Sequence, residues 1–217
     1  MEMKPKLRGR LHQFAFYYCC TLFFIFLLLS ILRTFKWTVC LYLLSQMILF
    51  GFSSSYHIIK WKSTKAERIA QRLDHASIFI LISGTQTSTI LSVIPSIDGL
   101  VKKFIIFSWT LSLIGVTKVF ILDNIYEIFD IILYTFHGLS VVVIYRYIVK
   151  YFNFTYILLI ILGGILYIIG GVLFGCRIPE ITPGVFGYHE FWHALTILAN
   201  GCFGVPILVE YIKSLKN

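Results

Sequence analysis

Charged side chains are scarce in this sequence. Only 13% of its 217 residues are Asp, Glu, Lys or Arg, against 58% hydrophobic, and the mean hydropathy is +0.84. That leaves too little polar surface for a water-soluble fold, so lipid must cover most of the chain. Cysteine is sparse as well: Cys19, Cys20, Cys40, Cys176 and Cys202 form no C-x-x-C pair, and all lie within or at the edge of apolar stretches. This argues against a cysteine metal site or a disulfide framework and assigns the thiols to packing. No long polar linker, low-complexity tract or internal repeat interrupts the chain, so a single domain over residues 1–217 is expected. Acidic residues number 10 against 19 Lys and Arg, for a net charge of +9. The basic residues lie in short connections between apolar runs, where they set membrane orientation, and no nucleic-acid partner is expected.

What the sequence has in quantity is long apolar runs. A bilayer offers the backbone no hydrogen-bond partners, so each spanning segment must satisfy its own amides. Runs of this length favour helices over the weak ten-residue alternation of a barrel. Asking for roughly 20 apolar residues per span predicts an all-α, polytopic bundle of seven transmembrane helices, over 14–32, 38–59, 76–94, 104–121, 125–145, 154–174 and 187–211. The gap between the fourth and fifth spans is short and carries Asp123, Asn124, Glu127 and Asp130. The first run follows Lys4, Lys6, Arg8 and Arg10 as a signal peptide would. It is too long for such a segment and has no small-x-small site before Arg33, so it reads as a retained helix. With Lys60, Lys62, Lys65, Arg68 and Arg72 between the second and third spans, the positive-inside rule predicts a cytoplasmic N-terminus and an outward Asn217. A multi-pass protein of the plasma membrane is expected, with membrane lipids as its partners.

Ionisable groups at membrane depth are costly and usually have a partner or a task. Three clusters stand out. The seventh span opens with His189, Glu190, Phe191, Trp192 and His193, which puts two imidazoles four residues apart on one helix face, within reach of one metal ion. The second span ends with Ser53, Ser54, Ser55, Tyr56 and His57, so Ser53 and His57 share a face; the third begins just after Leu73, Asp74 and His75. Alternation of the spans puts all three clusters at one depth, near the cytoplasmic face. His57, His189 and His193 are therefore the expected metal ligands, leaving a fourth tetrahedral position open, with Asp74 beside it as support or water partner. Imidazole and carboxylate suit zinc. His12, at the edge of the first span, and His137, midway along the fifth, are read as structural, and His75 as a neighbour rather than a ligand.

These residues carry a resemblance. Ser53-x-x-x-His57, Leu73-Asp74-His75, the Gly163-Gly164-x-x-Tyr167-x-x-Gly170 run and His189-x-x-x-His193, following Arg8-Gly9-Arg10-Leu11-His12, together resemble the hemolysin III family. That family belongs with the progestin and adipoQ receptors, including the adiponectin receptors, and more distantly with the alkaline ceramidases. The resemblance implies a seven-helix fold with an intracellular-facing zinc site on His57, His189 and His193, and Asp74 and Ser53 close to the metal-bound water. It also implies hydrolysis of lipid amides such as ceramide for part of the superfamily, and a haemolytic, pore-like activity for some bacterial members. Only about a dozen residues precede the first span, which points to a short microbial-type member rather than a hormone receptor.

His189-Glu190-Phe191-Trp192-His193 is also literally H-E-x-x-H, the zinc-protease signature in which the glutamate is general base. The further candidate ligands lie upstream here, which departs from the intramembrane proteases, and Glu190 is kept only as an accessory base. The expected function is a zinc-dependent hydrolase of lipid amides at the cytoplasmic membrane face, with Asp74 and Ser53 as its catalytic side chains. The alternatives are a membrane-perturbing or pore-forming haemolysin and a ligand-sensing receptor with structural zinc.

Overall fold

The computed structural model describes residues 5–122 and 127–216. Helices follow in the order α1 (Arg10–Leu32), α2 (Trp37–Ile58), α3 (Thr64–Val93), α4 (Gly99–Ile121), α5 (Glu127–Leu139), a 3-10 segment (Ser140–Ile144), α6 (Tyr145–Tyr151), α7 (Phe154–Gly175) and α8 (Tyr188–Ser214). Among the described residues, seven helical segments are long and apolar enough to cross a membrane. The fifth runs over Phe129–Tyr151 and combines α5, the 3-10 segment and α6. The only β contact among them is one isolated bridge, Thr182 to Phe186. The all-helical, seven-span expectation therefore holds. Lys4, Asp123, Asn124, Ile125 and Asn217, which entered the reading of charge and of the fifth span, lie outside the described residues.

Helix ends depart from the hydropathy windows where polar chemistry extends a helix past its apolar core. The largest departure is α3, which starts at Thr64 rather than near Ala76. Lys65, Ala66, Glu67, Arg68, Ala70, Gln71, Arg72 and Leu73 are helix formers with no Gly or Pro among them, so the helix runs on beyond the apolar stretch. Asp74 is thus not in a connection, as the sequence reading had it, but inside the helix, about three turns from its start. Helix α4 likewise starts five residues early, because the Asp98 carboxylate accepts hydrogen bonds from the Leu100 and Val101 amides at 3.0 Å. The Tyr147 hydroxyl donates to the same carboxylate and pins α6 to this end of α4. This bond, with the Val101 amide, holds the Asp98 carboxyl below its usual range.

The bundle buries many polar side chains among its apolar core clusters and exposes apolar ones. Ile31, Leu113, Val149 and Val172 are exposed, as lipid-facing residues should be. Helix α3, which packs against α2, α4, α5 and α8, buries Ser77, Ser83, Thr85, Gln86, Thr87, Ser88 and Thr89. Protein on all sides lets it carry such a run at membrane depth. Much of this run is satisfied across helices. The Ser83 and Ser108 hydroxyls meet His137 Nε2 at 3.2 and 3.1 Å, and Ser108 donates to Gln86 Oε1 at 2.7 Å. His137 is therefore structural, as read. Gln86 Nε2 in turn donates to the His137 and Gly138 carbonyls at 3.0 and 3.1 Å, while Ser140 Oγ donates to the His137 carbonyl at 2.6 Å. Side chains taking these carbonyls loosen the regular ladder where α5 gives way to the 3-10 segment.

The glycine run of α7 is a contact surface. A methyl group at Gly170 would fall 2.7 Å from a ring carbon of Trp192, and one at Gly163 would fall 2.8 Å from the Phe203 ring and 3.2 Å from the Ala199 carbonyl. Glycine spacing of seven thus lets α7 lie close along α8, the helix that carries His189 and His193.

Candidate metal centre

Seven spans in alternation bring the end of α2 and the starts of α1, α3 and α8 to one end of the bundle, and the candidate ligands meet there. One ring nitrogen from each of His57, His189 and His193 lies within 4.8 Å of the others. His57 Nε2 and His189 Nε2 are 3.1 Å apart. Two nitrogens on a tetrahedral zinc with bonds of about 2.0–2.1 Å stand about 3.3 Å apart, so the pair matches that spacing closely. His193 is buried, and its Nδ1 has no protein partner. Three converging imidazoles with an orphaned buried nitrogen fit a transition metal, and their donor set suits zinc.

Asp74 stands on the side of His57 that faces the cluster. Its Oδ2 is 3.6 Å from His57 Nε2, the same nitrogen that meets His189. A carboxylate serving only to orient a ligand would bond the ring's other nitrogen, away from the metal. At 3.6 Å there is no direct hydrogen bond, and the carboxylate lies beside the nitrogen that His57 turns to the cluster. Ser53, buried one turn before His57, turns its hydroxyl to the Asp74 carboxylate. His57, His189 and His193 thus converge, with Asp74 beside His57 and Ser53 beside Asp74. His75 lines the same cavity but lies outside the three-imidazole group, and its backbone carbonyl accepts from the Tyr134 hydroxyl at 3.0 Å.

Two groups at this site were missed. His12, read as a structural residue at the edge of the first span, is buried and stacks on His193, with ring centroids 3.7 Å apart and planes 9° from parallel. Arg8 had been counted only as an orientation charge. Its Nε donates to Glu190 Oε1 at 2.5 Å, while Glu190 Oε2 accepts from the Gly187 amide at 2.9 Å. The fully buried Glu190 therefore ties the N-terminal segment to the start of α8, with both oxygens engaged, which is not the arrangement of a free general base. Between Arg8 and His12 the chain must pass directly over His57. Gly9 there has φ +79°, and a Cβ on it would lie 2.7 Å from His57 Cβ, so glycine is needed on both counts. Just before it, the Lys6 and Leu7 amides donate to the Gly184 and Val185 carbonyls at 3.0 and 3.2 Å. The Arg8-Gly9-Arg10-Leu11-His12 motif is thus a strap across the histidine site.

From this site a cavity of about 490 Å³ runs up the interior of the bundle. His12, Ser53, Asp74, His189 and His193 line its near end. Ile82, Ile90, Ile148, Phe152, Ile161 and Ile165 give it mostly apolar walls, and the exposed Ile161 and Ile165 put one side of it at the lipid-facing surface.

Known proteins share this pattern. The profile of the haemolysin-III-related family matches residues 2–203. The ADIPOR-like receptor IZH2 of Saccharomyces cerevisiae is 29% identical over 187 residues, covering 73% of this chain and 55% of the yeast protein, so this chain spans little more than half that relative's length. The Hemolysin-3 homolog of Bacillus subtilis is 25% identical over 170 residues, covering 78% of this chain and 75% of the relative. The Hemolysin-3 of Bacillus cereus is 29% identical over 157 residues, covering 72% and 67%. Matched from the strap through the histidines of α8, this chain belongs to the haemolysin-III-related family of multi-pass membrane proteins, relatives of the adiponectin-receptor-like proteins.

Proposed function

We propose that this protein is a zinc-dependent hydrolase of lipid amides, acting at the cytoplasmic face of the cell membrane. The observation that carries this reading is the Asp74 carboxylate beside the cluster-facing nitrogen of His57, where three imidazoles converge on the wall of a mostly apolar cavity. His57, His189 and His193 would hold the ion. Zinc bound there supplies Lewis acidity for the amide carbonyl and lowers the pKa of a water toward roughly 7. Asp74 orients the attacking water, accepts its proton and returns it to the departing nitrogen as the C–N bond breaks, giving a fatty acid and an amine. Ser53 holds the Asp74 carboxylate and is placed to turn toward the developing oxyanion. The acyl chain lies along the isoleucine walls while the polar head stays at the membrane edge. The same walls count against a wide aqueous pore, which needs a polar lining.

Detergent-solubilised protein presented with ceramides and other N-acyl lipids is expected to release fatty acid, and zinc-free His193→Ala protein is not. Equal release by the two would mark the activity as a contaminant, and no release across a broad panel would refute the hydrolase.

The sidedness follows from charge. Lys60, Lys62, Lys65, Arg68 and Arg72 lie at the histidine end of the bundle together with the N-terminal segment, so that end is cytoplasmic and the C-terminus lies outside. A reporter fused after Asn217 that works only outside the cytoplasm should be active; activity of a cytoplasm-only reporter at that position would overturn the orientation.

A further inference from the structure

Hydroxyl groups on the membrane helices mostly take the default available to them, a bond to a carbonyl one turn back. Thr21, Thr110, Thr135 and Thr196 all do so, at 2.8 to 3.0 Å. Thr85 and Thr89 of α3 do not. Both are buried, at 7% and 5% exposure, both line the cavity, and the Oγ1 of each has no protein partner. Four residues apart, they share one face of α3. Across from them on α8, Asn200 is 3% exposed and lines the same cavity. Its Oδ1 accepts from Gln46 Nε2 at 3.1 Å, which leaves Nδ2 without a partner. A buried hydroxyl or amide left unpaired costs free energy that an aliphatic side chain would not incur. With the Tyr167 hydroxyl of α7, which lies beside Asn200, lines the same cavity and likewise has no protein partner, these groups give the apolar cavity a polar station. Their height is set by helical rise: Asn200 lies seven residues beyond His193, about 10 Å, Thr85 eleven beyond Asp74, about 16 Å, and Thr89 one turn higher still, about 22 Å, so Thr85 is the threonine nearer the Asn200 level.

We infer that the cavity selects lipids bearing a hydroxyl group near the middle of the acyl chain, held between Asn200 and Thr85. A hydroxyl accepts from the Asn200 amide while donating to a threonine oxygen, which neither a methylene nor a carbonyl does. The inference rests on the proposed function only in placing the lipid's amide at the histidines.

The test compares binding of three N-acyl lipids to the full-length protein in detergent, by thermal shift and by displacement of a fluorescent fatty-acid analogue. Their chains are unsubstituted, hydroxylated beside the amide, or hydroxylated at mid-chain. The mid-chain hydroxyl should tighten binding about tenfold over both others, the yield of one or two neutral hydrogen bonds. Thr85→Val, which removes a hydroxyl at nearly constant shape, should bring that ratio down toward one, whereas Thr89→Val, one turn farther up, should leave most of it. Equal binding of all three lipids would overturn the inference. So would a ratio that survives Thr85→Val, since its hydroxyl would then be serving water alone. Binding with the expected ratio but no released fatty acid would remove the hydrolase and leave the station standing; no binding by any lipid would remove both.

Discussion

Protein purified without chelator should carry about one transition metal per chain, and His57→Ala, His189→Ala or His193→Ala should each remove most of it. The three nitrogens lie within 4.8 Å of one another but come from two helices that are far apart in sequence. Each ligand therefore holds the ion in a site that folding alone assembles, and two remaining imidazoles do not make a tetrahedral set. The loss should exceed the roughly 10- to 100-fold that removal of an outer partner costs. Elemental analysis of wild type and the three variants, each checked for folding by its thermal transition in the presence of chelator, reads this directly. Wild type without metal, or variants with undiminished occupancy, would refute the site. The identity of the metal is read in the same measurement, with zinc expected over iron, copper or nickel.

The cluster of His57, His189 and His193 was legible in the sequence because membrane spans alternate. Once seven spans are counted, the end of the second and the starts of the third and seventh must share a depth, and HxxxH fixes two imidazoles on one face without further knowledge. His12 was not legible in this way. A lone histidine at the edge of a span has no spacing partner, and its stacking on His193 depends on how α1 lies against α8, which hydropathy does not encode. Arg8 was hidden because the rule that assigns orientation treats every basic residue as a solvated charge, whereas this one is matched to a fully buried carboxylate. The literal H-E-x-x-H match misled for the complementary reason: the letters specify a glutamate one residue after a ligand, not the direction its carboxylate takes. The break after Leu139 carried no proline, and its cause lies on another helix, in the Gln86 amide that takes the His137 and Gly138 carbonyls.

Asp74→Asn in protein that has been reloaded with zinc should slow fatty-acid release by roughly 100- to 10,000-fold, the range for loss of a positioned general base. The substitution keeps the shape of the side chain and its capacity to accept a bond from Ser53, but removes the ability to take a proton. Because Asp74 lies beside the His57 nitrogen that meets His189 rather than behind the ring, its chemical contribution should far exceed its contribution to holding the metal. Two measurements separate these. Zinc affinity should fall only by the roughly 10- to 100-fold typical of an outer partner, and zinc in excess should restore occupancy without restoring rate. The loss should appear in kcat with KM nearly unchanged, since the acyl chain and head are bound elsewhere. Ser53→Ala should cost less, because the carboxylate it holds is still present. If saturating zinc returns Asp74→Asn to wild-type rate, Asp74 acts only through the metal, and the proton transfer assigned to it is wrong.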